Sequence, residues 1–476
     1  MTFVLIGFAL VRTLIPGPPR FCRHDWFRLI LGAGIGSGMV SCCFFLSLAI
    51  GVPVEFLENT LLAVGAIAAF TRCRTAKCTF CGTTVPTGPR RVTAAVGVLF
   101  VVVLFCTMGV FVLLSVQSPH GWWDAWGNWN LRARFLFRGE THWTDVLSPY
   151  LAHPDYPLLL PGFVAREWKA IGSDTIGVPA AVAFLFTFGT VGVLTASIWL
   201  LRGRLQGLLA GAMLLGTPFF VVVQGPAQMA DIPLAYFLVT TLALLALYEH
   251  RPQSSGLAVL AGTSAALAAW TKNEGLLLLV SVALAYSVAV AILRRWSNWR
   301  TMIGFALGAA PVLAVVLYFK WVFAPANWVL TQQSLTPENI LALWRYRKVA
   351  ETFALFLWRF GGLSLTGPPW TGSSPASPLL FLVAYLLIVR LRPAKEIPLY
   401  VPAGALSVLF AGAGHFVLFV STAAWLLDEL INTTLDRLLL HLWPAAILVA
   451  FSAARAPLVD ERESKPNDGV PALVAS

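Results

Sequence analysis

Apolar runs of about twenty residues recur from one end of the chain to the other, and this feature sets its class before any other. Val92 to Val116 is the clearest of them. A run of this length crosses a hydrocarbon core as a helix, which satisfies its own backbone N–H and C=O groups where no water can. The alternating polarity that a transmembrane barrel needs is absent. Of the 476 residues, 58% are hydrophobic and 12% charged, whereas soluble domains carry about 25% charged residues. The net charge of +11 would suit nucleic acid, but the Lys and Arg sit in joints between apolar runs, as the positive-inside bias requires. No nucleic-acid partner is expected. The first run, Met1 to Ile15, lacks a charged n-region and a small-residue cleavage site, so it reads as a membrane segment rather than a cleaved signal.

The chain is therefore expected to be an all-α polytopic membrane protein with about thirteen transmembrane helices. Basic joints at Arg12 to Arg28 and Arg72 to Arg91 place the N-terminus outside, so that Val92 to Val116 runs outward. A first large outer loop, 117–175, follows and should carry short interfacial helices. The later runs are Ile176 to Leu201, Leu205 to Val223, Ile232 to Tyr248, Leu257 to Trp270, Leu276 to Leu293 and Met302 to Phe323. A second outer segment, 324–377, contains 353–365, read as interfacial or re-entrant because letting it span would put Arg390, Arg392 and Lys395 outside. It also carries Trp344, Arg345, Arg347 and Lys348, suited to shaping acceptor choice or to anionic headgroups. Leu379 to Val389, Pro398 to Val420 and Leu438 to Ala454 complete the set, and 455–476 is expected to be a disordered cytoplasmic tail. Gly32, Gly34, Gly36 and Gly38 in the second run would let other helices approach closely. Cys73, Cys78 and Cys81 share a basic loop but fall short of the four ligands of a zinc site, and read as reduced cytosolic thiols.

Polar residues collect on one side of this topology. Gly121-Trp122-Trp123-Asp124-Ala125-Trp126-Gly127-Asn128-Trp129-Asn130 sets an acid among aromatic rings where a helix leaves the bilayer. An aromatic belt explains the tryptophans but not the acid. Asp231 before Ile232-Pro233, Thr271-Lys272-Asn273-Glu274-Gly275, Thr434-Leu435-Asp436-Arg437 and His153-Pro154-Asp155-Tyr156-Pro157 all fall on the same outer side. Each has an ordinary explanation: a helix cap for Asp231, a local pair for Lys272 and Glu274, a snorkelling Arg437, a structural His153. Their common side is what argues for a site at the outer membrane–water boundary.

Three of these stretches, Gly121–Asn130, Asp231-Ile-Pro-Leu-Ala-Tyr-Phe and Thr271-Lys-Asn-Glu-Gly, together with Leu435-Asp-Arg-Leu-Leu-Leu-His-Leu-Trp-Pro, resemble the polyprenyl-phosphate-dependent glycosyltransferases of the C-type superfold. The similarity is to the bacterial group related to protein O-mannosyltransferases and lipid A aminoarabinose transferases. It covers 92–454, with 1–91 as additional N-terminal helices. The resemblance implies Asp124 as the catalytic base, and Arg437 and Lys272 as the groups that hold the donor phosphate. Asp231 or Asp155 would be the second acid, orienting the acceptor or a cation. The eukaryotic mannosyltransferases place a second acid beside the first, whereas here Ala125 follows Asp124. Trp123, Trp126 and Trp129 offer faces for sugar or lipid, with Glu274, His153 and Asn128 as polar support.

The expected reaction moves a sugar from a polyprenyl-phosphate donor to an acceptor hydroxyl on lipid, glycan or protein, with inversion, at the outer face of a cytoplasmic membrane. No organic cofactor is implied, and a divalent cation is left open. The competing readings are a transporter or flippase of lipid-linked glycans, a non-catalytic scaffold, and an O-antigen ligase or polymerase. Absence of an internal repeat and of midplane polar groups weighs against the transporter.

Overall fold

The computed structural model describes residues 2–16, 25–73, 88–327, 337–361 and 377–455. Among them nine helices are long and apolar enough to cross a membrane, with four shorter apolar helices beside them. In chain order the first are α1 (Thr2–Leu14), α2 (Asp25–Ile50), α3 (Val54–Cys73) and α4 (Arg90–Gln117). The stretch 117–175 then folds as α5 (Asn130–Arg138), a 3-10 stretch Glu140–Leu147 and α6 (Leu159–Ile171). The central helices are α7 (Gly177–Arg202), α8 (Arg204–Leu215), α9 (Asp231–His250), α10 (Gly256–Thr271), α11 (Asn273–Ile292) and α12 (Trp299–Tyr318). They are followed by α13 (Pro337–Leu341), α14 (Leu343–Arg359), α15 (Pro378–Val389), α16 (Tyr400–Ser421) and α17 (Ala424–Ala453). The tail from residue 456, Cys78, Cys81 and parts of the 324–377 segment lie outside the described residues.

α9 is the axis of the bundle. Its sequence is apolar on every side, and a helix of that kind must be enclosed on every side. Leu234, Phe237, Val239 and Leu244 are all buried, with α7, α10 and α17 packed around them. At the periphery, α4 presents Val98, Phe105 and Val116 outward, the composition of a lipid-facing helix. One continuous apolar core runs from Ile6 and Phe27 through Phe237 to Phe451, so α1 and α2 pack into the same core as the rest.

The glycine run of α2 works as close-packing surface in three directions. A Cβ on Gly36 would meet the Phe3 carbonyl oxygen of α1 at 2.0 Å, and one on Gly32 would meet the backbone of Phe8. Gly34 lies against the Tyr236 ring of α9, and Gly38 against Leu267 of α10.

Two boundaries differ from the sequence expectation. The final helix begins at Ala424, not near Leu438, so Asp436 and Arg437 lie well inside α17 rather than at a joint. Its early turns are amphipathic, with Leu427, Ile431 and Leu435 buried together, and this kept them below a hydropathy threshold for a span. The second concerns 353–365: its part up to Arg359 belongs to α14, which begins earlier, at Leu343, is amphipathic and carries Arg345, Arg347, Lys348 and Arg359, while 362–365 lie outside the described residues. α14 is not among the candidate spans and packs against α16 and α17. Buried Arg345 donates to the carbonyls of Val420 (2.8 Å) and Thr422, while Lys348 pairs with Asp428 and Arg347 with Glu351. Arg345 and Lys348 tie α14 to the bundle, while the Arg347 pair lies within α14 itself.

Gly36→Leu should lower the stability of the detergent-purified protein by about 3 kcal/mol, because backbone, not a flexible side chain, occupies the space. Gly38→Ala, whose nearest contacts are atoms of the flexible Leu267 side chain, should be milder; thermal unfolding of the two variants beside wild type checks the order.

Candidate functional site

The turn after α4 brings Asp124 to the start of α9. Gly121 takes a left-handed conformation (φ +72°), and a Cβ there would strike the Ala227 carbonyl oxygen at 2.6 Å. That approach lets the Trp122 N–H donate to Ala227 (3.2 Å). Gln228 completes the join: its Nε2 donates to the Pro119 carbonyl (3.1 Å), and its Oε1 accepts from Asn130 Nδ2 (2.8 Å). A π-helical turn, Ala125–Trp129, follows directly, a local widening that recurs at functional sites. It buries Ala125, Asn128 and Trp129 while Trp123 and Trp126 stay 64% and 50% exposed.

Asp231 is the hub. Fully buried at the first position of α9, it accepts from Lys272 Nζ (3.0 Å) and His441 Nε2 (2.7 Å) on Oδ1, and from Arg437 Nε (3.1 Å) and Nη2 (2.9 Å) on Oδ2. Arg437 then reaches Asp124 Oδ2 through Nη1 at 2.6 Å. One guanidinium therefore bridges a buried acid and a partly exposed one, using its fork geometry. Lys272 adopts an extended backbone between α10 and α11. It also touches Glu274 Oε1 (3.2 Å). Burial pulls the Lys272 ammonium pKa down, but Asp231 and Glu274 outweigh that and hold it above the usual lysine value.

A second polar group closes the adjoining wall. Asp155 Oδ2 accepts from Asn273 Nδ2 (2.6 Å) and Asn327 Nδ2 (2.7 Å), and Lys320 Nζ donates to the Asp155 carbonyl (2.5 Å) and to Asn273 Oδ1 (2.6 Å). Arg132, buried and with its pKa pulled down to about 10 by that burial, donates to the Tyr156 carbonyl at 2.8 Å. The rings of His153, Tyr156 and Trp129 stack in sequence, at 4.5 and 5.7 Å.

These walls enclose a cavity of about 350 Å³ lined by Asp124, Asn128, Trp129, His153, Tyr156, Lys272, Asn273, Glu274, Asn327, His415 and Arg437, with Leu277, Leu418 and Leu438 supplying apolar surface. Asp124, Lys272, Glu274, His153, Asn128, Trp129 and Arg437 thus meet around one space, and Asp231 braces it from behind. Asp155 is directed into the Asn273–Asn327–Lys320 group. Trp123 and Trp126 lie outside the cavity, paired edge to face at 6.0 Å. Sequence reasoning did not single out His441, His415, Lys320, Asn327 or Arg132. His441 had a usable signal, since it stands four residues after Arg437 and shares its helix face. Among the described residues no group of His, Cys, Asp and Glu has the arrangement of a metal site.

The opposite end of the bundle has a different character. Glu249, at the far end of α9, accepts the N–H groups of Leu399 and Tyr400 (2.8 and 2.7 Å), and Arg295 pairs with it. Arg202 donates to the Ala454 carbonyl, and Arg455 Nε to that of Leu391. Asp231 and Glu249 are separated by about 27 Å at 1.5 Å per residue, close to a hydrocarbon core's thickness. Compared with protein families, curated proteins and solved structures, the chain matches none.

Removing the hub should unfold the site while removing its exposed partner should not. Asp231→Ala leaves buried Lys272 and Arg437 short of their shared acceptor and should cost about 3–5 kcal/mol; Asp124→Asn should stay within about 1 kcal/mol of wild type, both read by thermal melts. A pH dependence follows from His153, whose pKa burial lowers. The unfolded chain protonates this histidine near pH ~6.5 while the folded chain resists, so stability is complete above that value and falls as pH drops below it. His153→Asn, which tolerates the left-handed backbone here (φ 49°), should flatten the fall in melting temperature between about pH 6.5 and 5.

Proposed function

We propose that this chain is an integral membrane glycosyltransferase that moves a sugar from a polyprenyl-phosphate donor to an acceptor hydroxyl, with inversion at the anomeric carbon. The observation that carries the reading is the Asp124–Arg437 pair at a cavity beside the membrane boundary: a partly exposed carboxylate next to a guanidinium braced by a buried acid. Asp124 accepts the proton of the acceptor hydroxyl as its oxygen attacks the anomeric carbon. The bond from that carbon to the phosphate oxygen breaks, and the phosphate leaves with the electron pair. A polyprenyl phosphate is already acidic, so it needs charge stabilisation rather than protonation. Arg437 and Lys272 supply it, the donor phosphate taking over the Arg437 Nη1 hydrogen bond and releasing Asp124 for the acceptor. Asp155 holds the loop that carries His153 and Tyr156 against the cavity. On this reading the cavity faces the extracytoplasmic side of a cytoplasmic membrane, in keeping with the positive-inside bias of the basic joints at the far end of the bundle. The acceptor is a lipid, glycan or protein hydroxyl.

The test supplies detergent-purified protein with radiolabelled polyprenyl-phosphate sugars and follows loss of sugar from the lipid. Wild type should consume a donor, and Asp124→Asn should bind it with the rate reduced by about a hundredfold or more. Equal consumption by both proteins would remove Asp124 from the reaction. No consumption, with lipid-linked sugar crossing the bilayer of reconstituted vesicles, would make the chain a transporter.

A further inference from the structure

The cavity has hydrogen-bonding capacity that the fold itself leaves unused. His415, 2% exposed on α16, lines it with neither ring nitrogen bonded to the protein. Asn128, Trp129 and Glu274 line the same space, and Asn128 Oδ1, Trp129 Nε1 and Glu274 Oε2 also lack a partner, although Asn128 and Trp129 are 4% and 1% exposed. Elsewhere in the bundle, buried unbonded atoms are largely hydroxyls and guanidinium nitrogens, such as Thr93 on α4 and Ser197 and Arg202 on α7. Burying a polar atom without a partner costs about 1–3 kcal/mol, and here several such atoms share one wall. That concentration is what a binding site for a polar ligand requires.

Donor and acceptor types narrow the ligand. Asn128 and Glu274 offer acceptors, Trp129 a donor, and neutral His415 one of each. Hydroxyl groups, which both donate and accept, match a mixed set of this kind. A second anionic group, on the ring itself, would meet Glu274 and Asn128 as repelling acceptors, and the nearest cations, Lys272 and Arg437, are those assigned to the donor phosphate and already face Asp231, Glu274 and Asp124. An ammonium group would have to share Glu274 with Lys272, whose Nζ lies 3.2 Å from its other oxygen. The volume, about 350 Å³, is at the low end for ligand pockets and admits a single ring rather than a chain of sugars.

Resting on the transferase reading for its donor, we propose that Asn128, Trp129, Glu274 and His415 form the subsite that recognises the hydroxyls of one neutral sugar ring, with His415 setting specificity.

The test measures transfer from polyprenyl-phosphate donors carrying a neutral hexose or pentose, an amino sugar or a uronic acid. Binding of the corresponding free sugars is measured by calorimetry. Wild type should prefer a neutral donor, and His415→Leu should raise its KM by about tenfold, the equivalent of one hydrogen bond. His415→Gln, which keeps a donor and an acceptor, should recover most of that loss, which a purely structural role would not predict. Preference for the uronic or amino sugar, or a KM and affinity untouched in both His415→Leu and Asn128→Leu, would overturn the subsite while leaving the transferase reading intact. Binding of a free neutral sugar that His415→Leu abolishes, without turnover of any donor, would uphold the subsite and end the transferase reading.

Discussion

The Asp231 carboxylate is the interaction on which the rest of this structure depends. A charge at 0% exposure is tolerable only when its partners replace the water it has lost. Those partners come from separate parts of the chain: Lys272 from the break between α10 and α11, and Arg437 and His441 from one face of α17. Satisfying one carboxylate therefore sets the height of α17 against α9 and the point at which the α10–α11 hairpin opens. Since the guanidinium has a further N–H to place, it also settles where the turn after α4 must dock, because Asp124 is the acid that meets it.

From that arrangement the character of the cavity follows. Its cations are braced from behind by Asp231 and directed toward a space that Asp124 shares. Loop residues form the opposite wall, and Asp155 secures it through Asn273, Asn327 and Lys320. The His153–Tyr156–Trp129 stack gives that wall a flat aromatic surface, while Leu277, Leu418 and Leu438 keep the rest dry. Low local dielectric strengthens each of these polar contacts, which also makes each unbonded polar atom there more demanding of a ligand. At the far end the contacts are of another kind: helix ends tied by Glu249, Arg202 and Arg455 to backbone groups. A bundle about one hydrocarbon thickness long thus separates a reactive-looking end from a structural one.

Much of the fold was legible in the residue order because bilayer insertion reads local composition. Apolar length alone located the helices that could span, and Lys and Arg between them marked the joints. The convergence of Asp124, Asp231, Lys272, Glu274 and Arg437 was also anticipated, since segments on one side of a membrane have only a thin layer in which to meet. Where local composition misled, the cause was amphipathicity: the early turns of α17 mix Asp428, Glu429 and Arg437 with buried Leu427, Ile431 and Leu435, so a hydropathy threshold placed the start of that helix too late.

By itself, then, the sequence determined an all-helical membrane bundle, its approximate helices, and a polar cluster around the Trp-rich turn. Only the tertiary structure decided which charges pair. Asp231 and Arg437 are distant in the chain, and nothing local to either distinguishes a cap or a snorkelling residue from two halves of one buried ion pair. Likewise Trp129 enters the cavity while Trp123 and Trp126 face away, a division made by the π-helical turn rather than by residue type. His415 stands in an apolar run that gives it no local signal. Its neighbours across the cavity, drawn from α5's approach, α11 and α17, are what leave its ring nitrogens without a partner, and pairings of that range are set by packing rather than by spacing.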